Sequence, residues 1–412
     1  MRNALKMLTA SASVAALSTI MLTSAASAQS EVRFWYHFDN PDNPMSELVE
    51  AFEAEHPDIT IQAENIPWNS YYDNLYTSIV GGDAPDAAMV KLFAQPRLIE
   101  MGALEPIGDR IDSWDGSDDL LPNMLDINAG PDGNQYYLPV QYVVLYLYYR
   151  TDLFEEAGLD APATCDDFLN AAQTLTQDTD GDGNIDIYGF GFRGAGGGHD
   201  HWLPFIMSRD GVSLEEGGLT NDAAIAANQW VIDLHREHGV FPPSAPNDGF
   251  QETIAGFQQG RTAMTIHHIG SANAMVEALG DNVDAVPMPE CDGNRWTTFG
   301  DESLAVFSTA EDKDAAWEWI SFLASSGNNA MFNEATGQLP VTQSDSDEWS
   351  LHEPRFVQAT VDSLPFANTL PPTPEASDFV NSVWPTNMQR ALLGEISSEE
   401  MMQNIEELFH GE

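Results

Sequence analysis

The sequence predicts an α/β chain folded as two lobes whose segments interleave. Three observations predict it: strand and helix patterns alternate from Val32 onward, the helices carry single apolar faces, and no repeat or low-complexity linker divides the chain. At 412 residues with 43% hydrophobic content, the chain can fill two cores of ordinary size.

VRFWYHF (32–38) reads as the first strand. PMSELVEAFEAEHP follows as a helix, because Met45, Leu48, Val49 and Phe52 recur every three or four residues and Pro57 lies beyond the end. ITIQAENI alternates as a second strand, YYDNLYTSIVGG is a helix closed by Gly81-Gly82, and DAAMVKL is a third strand. This β-α-β-α-β order predicts a mostly parallel sheet covered by helices on both faces. LPVQYVVLYLYYR (138–150) is one long β-prone run, and CDDFLNAAQTLTQ a helix capped near Thr164. NDAAIAANQWVIDLHREHG is a glycine-closed helix. ETIAGFQQGRTAMTIHH reads as helix, turn and strand, and KDAAWEWISFLASS and SSEEMMQNIEELFHG as amphipathic helices.

The chain begins with Arg2 and Lys6, an apolar stretch from about Ala10 to Leu22, and Ala26-Ser27-Ala28, which together predict a signal peptide over residues 1–28 cut after Ala28. The stretch is too short and too rich in Ser and Thr for a membrane anchor, so the mature protein is expected to be soluble in the periplasm. Fifteen Lys and Arg face 65 Asp and Glu, a net charge of −50. That balance opposes nucleic acid and anionic membranes, and reads as halophilic adaptation or as attraction for a cationic ligand. Two cysteines, Cys165 and Cys291, fit either one disulfide or a free pair, and neither stands in a redox CxxC motif.

The sharpest local motif is DTDGDGNID. Asp178, Asp180, Asp182, Asn184 and Asp186 fall at alternate positions, as the oxygen ligands of a calcium loop do, with Gly183 at the sharp turn. Gly189 replaces the closing Glu, so an intact EF-hand is excluded; the choice is between a structural Ca2+ clip and an Asp/Gly-rich turn. His199, His201, His267 and His268 read as polar lining rather than a metal centre, since no HExxH or cysteine cluster joins them. The glycine run Gly194 to Gly198 follows no strand-to-helix setting for phosphate. No nucleophile or acid–base motif stands out, so neither catalysis nor an obligatory cofactor is expected.

Six stretches in order resemble the extracellular solute-binding proteins of bacterial ABC sugar importers, the group of maltose-binding protein. They are FWYHF, AFEAEHPDITIQ, GGDAPDAAMV, LPVQYVVLYLYYRTDLFEEAGLDAP, FQQGRTAMTIHHIG and FGDESLAVFSTAEDKDAAWEWISFL. The chain departs from the family at Arg150-Thr151, at His268 to Ser271 where a tryptophan is common, and at Cys165, which also stands for a tryptophan; pairing with Cys291 would explain it. The resemblance implies a periplasmic binding protein type II fold, α/β, with two interleaved lobes and a hinge. Lobe I would hold 29–140 and 300–337, and lobe II 141–299 and 338–412. Crossings would fall near Val140–Tyr142, Phe299–Asp301 and Gln338–Val341.

It also implies a monomer that closes on a carbohydrate and presents it to the membrane permease subunits. Sugars offer hydroxyl edges and apolar C–H faces, so flat rings and planar polar groups are expected to line the cleft. The candidates are Tyr36, His37 and Asp39 at the end of the first strand, Trp68, Trp202 and Trp384 as stacking surfaces, and Asp86. Tyr142, His268, Gly300 and Asp301 stand at the crossings. Trp384→Ala is accordingly expected to weaken sugar binding without unfolding the chain. Trp230, Trp317 and Trp319 sit on helical stripes and read as core. Arg193 could serve a carboxylate or phosphate, or pair with a nearby acid. The alternatives are the same fold binding a polyamine or glycerol-3-phosphate, and a secreted glycoside-active enzyme.

Overall fold

A computed structural model describes residues 29–38 and 43–411, apart from the side chain of Asn69. Residues 1–28, expected from the sequence to be a signal peptide, and Asp39 lie outside these residues. The three early strands form as the alternation predicts: β1 (Ser30–Tyr36), β2 (Ile59–Asn65) and β3 (Ala87–Val90), with helices Met45–Glu55 and Trp68–Gly81 between them. Gly82 ends the second helix in the left-handed region at φ 73°, the conformation that favours glycine. Both β2 and β3 pair with β1 in parallel.

Later strands enter from far along the chain. They are β4 (Leu138–Val144), β5 (Tyr146–Tyr149), β6 (Met264–His267), β7 (Asp284–Val286), β8 (Thr297–Val306) and β9 (Ala367–Asn368). The large sheet runs β2-β1-β3-β8-β4, with β9 added to β8; the small one runs β6-β5-β7. The mostly parallel expectation holds for β1–β3 and for the two-residue β9 beside β8. β8 inserts antiparallel between β3 and β4, and every pair in the small sheet is antiparallel. A local β-α-β pattern carries no information about which distant strand fills the next edge.

The run 138–150 is not one strand but two in different sheets, divided at Leu145. There the backbone turns to β8: Leu145 N–H donates to Thr298 O at 3.3 Å, and Thr297 Oγ1 donates to Leu145 O at 2.7 Å. The β-prone pattern continues through the break, so the sequence hides it.

The crowd of rings in β1 answers to burial on two faces. Phe34 and Tyr36 point to one core, where Phe34 meets Trp319 edge-on at 5.5 Å and Phe52 meets the same indole at 5.2 Å. Trp35 points to the other, with Tyr71, Tyr72 and Leu75 of the helix Trp68–Gly81. Period-two alternation therefore fills both sides of a doubly covered sheet with large side chains. Helix Lys313–Ala324 joins the first of these cores, whereas residues 379–405 join the core around the small sheet, so the two bodies share the chain in alternating pieces. Cys165 and Cys291 are bonded to each other with Cα atoms 5.2 Å apart. The first opens a helix through the Thr164–Asp167 capping box.

Candidate functional site

A cavity of about 690 Å³ lies between the two sheets. Parallel β1 and β3 run the same way, so His37 and Phe38 after one end and Lys91 to Phe93 after the other reach the same edge. Gln141, Val143 and Leu145 of β4 and Phe299 to Glu302 of β8 complete this wall. Arg193, His199 to His201, Phe250, His267 and His268 form the facing one.

Glu302 anchors the first wall. Burial alone would push its carboxyl up, but Lys91 and His37 outweigh it and hold it below the ordinary value. Lys91 Nζ is paired with it directly, and His37 Nε2 lies 3.2 Å from Oε2. The same ammonium sits 5.4 Å from the Trp68 ring centre, and His37 packs on Trp68 and Tyr71 at 4.9 and 4.7 Å. Neighbouring Asp301 forms no ion pair among the described residues; burial pushes its carboxyl up to about 7, although Ser303 Oγ donates to it and Leu92 N–H donates to it at 3.0 Å.

The facing wall is a set of neutral imidazoles. Burial, and after it the charge of Arg193, lowers His267 to about 3. Burial is the main cause in lowering His199, His201 and His268 as well. His267 Nδ1, His199 Nδ1 and Gln338 Oε1 are buried at the cleft with no protein partner among the described residues. Buried polar atoms without partners cost stability, so their presence along a cavity marks where a solute's hydroxyls would bond.

These shifts set the pH response. A histidine lowered in the folded state contributes fully above its unfolded value of 6.5 and loses that contribution as the pH falls toward the folded value. His267 alone should cost about 2 kcal/mol at pH 5. Asp301 acts oppositely, its raised value adding stability as the pH falls below about 7. Four imidazoles against one carboxyl should leave Tm lower at pH 5 than at pH 7.5, and Asp301→Asn should steepen the fall. A flat Tm profile in both proteins would contradict the assignment.

Of the sequence candidates, His37, Trp68, His268, Gly300 and Asp301 line the cleft. Tyr36 does not; it is buried in the sheet core between Phe34 and Phe38. Asp86 sits before β3, at the end away from the cleft, and caps backbone N–H groups of Arg33 and Glu311 at 2.9 and 3.2 Å. Tyr142 alternates away from Gln141 and Val143, its ring parallel to Phe299 at 6.2 Å.

Trp202 and Trp384 are fully buried in the core around the small sheet, 6.2 Å apart. Trp202 Nε1 donates to Asn228 Oδ1 at 2.8 Å. The helical turn carries His199 and His201 to the cleft and Trp202 inward, so polar neighbours in sequence misreported its side. Sequence reasoning missed Lys91 and Glu302. Lysine's rarity, three in the whole chain, and an acid inside the apolar run of β8 were the available signals.

The acidic loop stands apart from this cleft. Oxygens of Asp178, Asp180 and Asp186 lie within 4.8 Å of one another. Asp178 accepts from Gly181 and Gly183 N–H at 2.7 and 2.8 Å, whereas Asp182 is turned to Asn184. Hydrogen bonds from Thr179 hold Asp186 below the usual carboxylate range.

Comparison with known proteins accounts for the arrangement. A Brucella abortus protein designated a binding protein is 27% identical over 346 residues, 81% of each chain. The sn-glycerol-3-phosphate-binding periplasmic protein UgpB of Agrobacterium fabrum is 24% identical over 82% of this chain and 80% of its own. An ABC transporter solute-binding protein of Thermotoga lettingae, solved with α-D-tagatose, has the same fold: TM-score 0.81, 23% identity, 92% of this chain and all of that one covered. These relatives are binding proteins. Residues 39–330 match the family model described as bacterial extracellular solute-binding protein, and with two sheets facing each other across a polar, aromatic cleft the chain belongs to that family.

Proposed function

We propose that the protein captures a carbohydrate, a mono- or oligosaccharide, between its two bodies and delivers it unchanged to the membrane permease subunits of an ABC importer. The observation that carries this reading is the cleft itself: about 690 Å³, with Trp68 on one wall and partnerless buried polar atoms on the other. In this reading residues 1–28 direct export and are removed, and the mature chain works as a periplasmic monomer. Residues 29–140 with 300–337 swing against 141–299 with 338–412. His37, Trp68, His268, Gly300 and Asp301 touch the solute. A polyamine loses support, because Lys91 already neutralises Glu302 and five of the chain's ten histidines line the cleft.

A thermal-shift screen of sugars, polyols and polyamines tests it, since a ligand bound only to the folded state raises Tm. Trp68 is half-buried at the cleft rim, so Trp68→Ala should weaken binding of the responding sugar about tenfold with little change in Tm. A polyamine response without a sugar response, or turnover of a saccharide, would sink the reading.

We further propose that the loop 178–186 takes a structural Ca2+, favoured by the close approach of three carboxylates. Millimolar Ca2+ should raise Tm, and Asp178→Asn should abolish the rise. Equal Tm in Ca2+ and in chelator would remove the site.

A further inference from the structure

We propose that Arg97 and Asp378 form a brace between the two bodies, one that keeps the cleft mostly shut before any solute enters. This goes beyond the sugar-binding reading and rests on the two-body motion in it.

Arg97 lies in the helix Gln95–Glu100, which follows the cleft residues Lys91 to Phe93 directly and packs on the large sheet through Leu98. Asp378 ends the helix Glu375–Asp378, and the next two residues, Phe379 and Val380, are buried in the core around the small sheet. Each partner is therefore fixed to a different body. The guanidinium meets the carboxylate through two prongs: Nη1 donates to Oδ1 at 2.7 Å and Nη2 to Oδ2 at 2.6 Å. Such a forked contact fixes orientation as well as distance. Other ion pairs, such as Lys313–Glu105 and Arg209–Asp292, join residues of one body only.

A second contact lies alongside. The hydroxyls of Tyr76 and Ser377 are hydrogen-bonded at 2.7 Å, again from one body to the other, and the Arg97 guanidinium sits 5.6 Å from the Tyr76 ring centre. The ion pair is part-exposed, but the hydroxyl pair is shielded: Ser377 is buried, and burial pushes the Tyr76 hydroxyl up to about 12. Phe93 packs against the core around the small sheet and against the core that holds Trp35. None of these contacts involves a solute. They form only when the bodies are together, so they favour the closed arrangement alone. A solute that needs this arrangement then binds more tightly, because the closed population is supplied in advance.

Spin-label distances in the unliganded chain test this. Val80→Cys and Leu393→Cys place labels at exposed positions, one on each body, and Cys165 and Cys291 are already bonded to each other. With the brace intact the labels should give one dominant distance. Asp378→Asn and Arg97→Met should each raise a second population about fivefold, with a larger radius of gyration in X-ray scattering. The double variant should open no further than either single one, because the two residues act as a unit. Thermal melts check that each variant is folded. Tyr76→Phe, which removes one hydroxyl, should open the chain to a smaller extent and decides the matter if the charge variants do not fold. A merely structural ion pair would lower Tm and leave the distances unchanged, and that result would overturn the brace. So would openings that add in the double variant, or an intact chain that is already open. Each of these failures leaves sugar capture standing, since that reading falls only with the sugar response in the thermal screen.

Discussion

Replacing Trp384 by alanine is expected to cost about 3–5 kcal/mol of stability, the usual penalty for emptying a large aromatic site. The indole is fully buried among Phe192, His199 and Trp202, whose rings lie 6.2–6.4 Å away. Neighbours so tightly held can close only part of the gap. Chemical denaturation of the variant should show the loss directly. Its Nε1 has no protein acceptor among the described residues, so Trp384→Phe should cost far less. Affinity for the solute, measured where the alanine variant remains folded, should change less than in Trp68→Ala. A stable Trp384→Ala with tenfold weaker binding would return Trp384 to the cleft.

Lys91→Met should be of similar size for an electrostatic reason. Removing one partner of a buried pair leaves the other uncompensated, at about 3–5 kcal/mol. Lys91 is a quarter exposed and Glu302 hardly at all, so the penalty falls on the carboxylate. In the native protein Glu302 sits below its unfolded value of 4.5, so its contribution is present above that value and lost as the pH falls through the folded one. Without Lys91, burial becomes the leading influence and the sign reverses. The variant should be weakest near neutrality and recover as Glu302 takes up a proton. Lys91→Met with Glu302→Gln should regain most of the loss, and a double-mutant cycle measures the coupling. A single variant with native stability at pH 7 would refute the pairing.

Local rules carried most of the fold. Apolar spacing placed the early helices, Gly82 and Thr164 marked their ends, and alternation placed β1 to β3. What escaped was nonlocal: the entry of β8 between β3 and β4, and the division of 138–150 between sheets. The cleft divides in the same way. His37 and Trp68 were legible because a strand end and a helix start expose them. Trp202 and Trp384 were not, because polar residues beside them in sequence point elsewhere in space. Glu302 is one of 65 acids and is distinguished only by burial, a property of the assembled sheet.

The single residue between β4 and β5 has a mechanical corollary. With Leu145 tied to β8 at both its backbone groups, the connection has no slack, and in the closing motion proposed above the bodies would pivot close to it. Leu145 itself borders the cleft, so atoms beside it sit near the fulcrum and travel little. Groups at the rim have the longer lever arm. A solute long enough to span from Leu145 to the mouth would convert a small angular change into the largest displacement available for a membrane partner to sense.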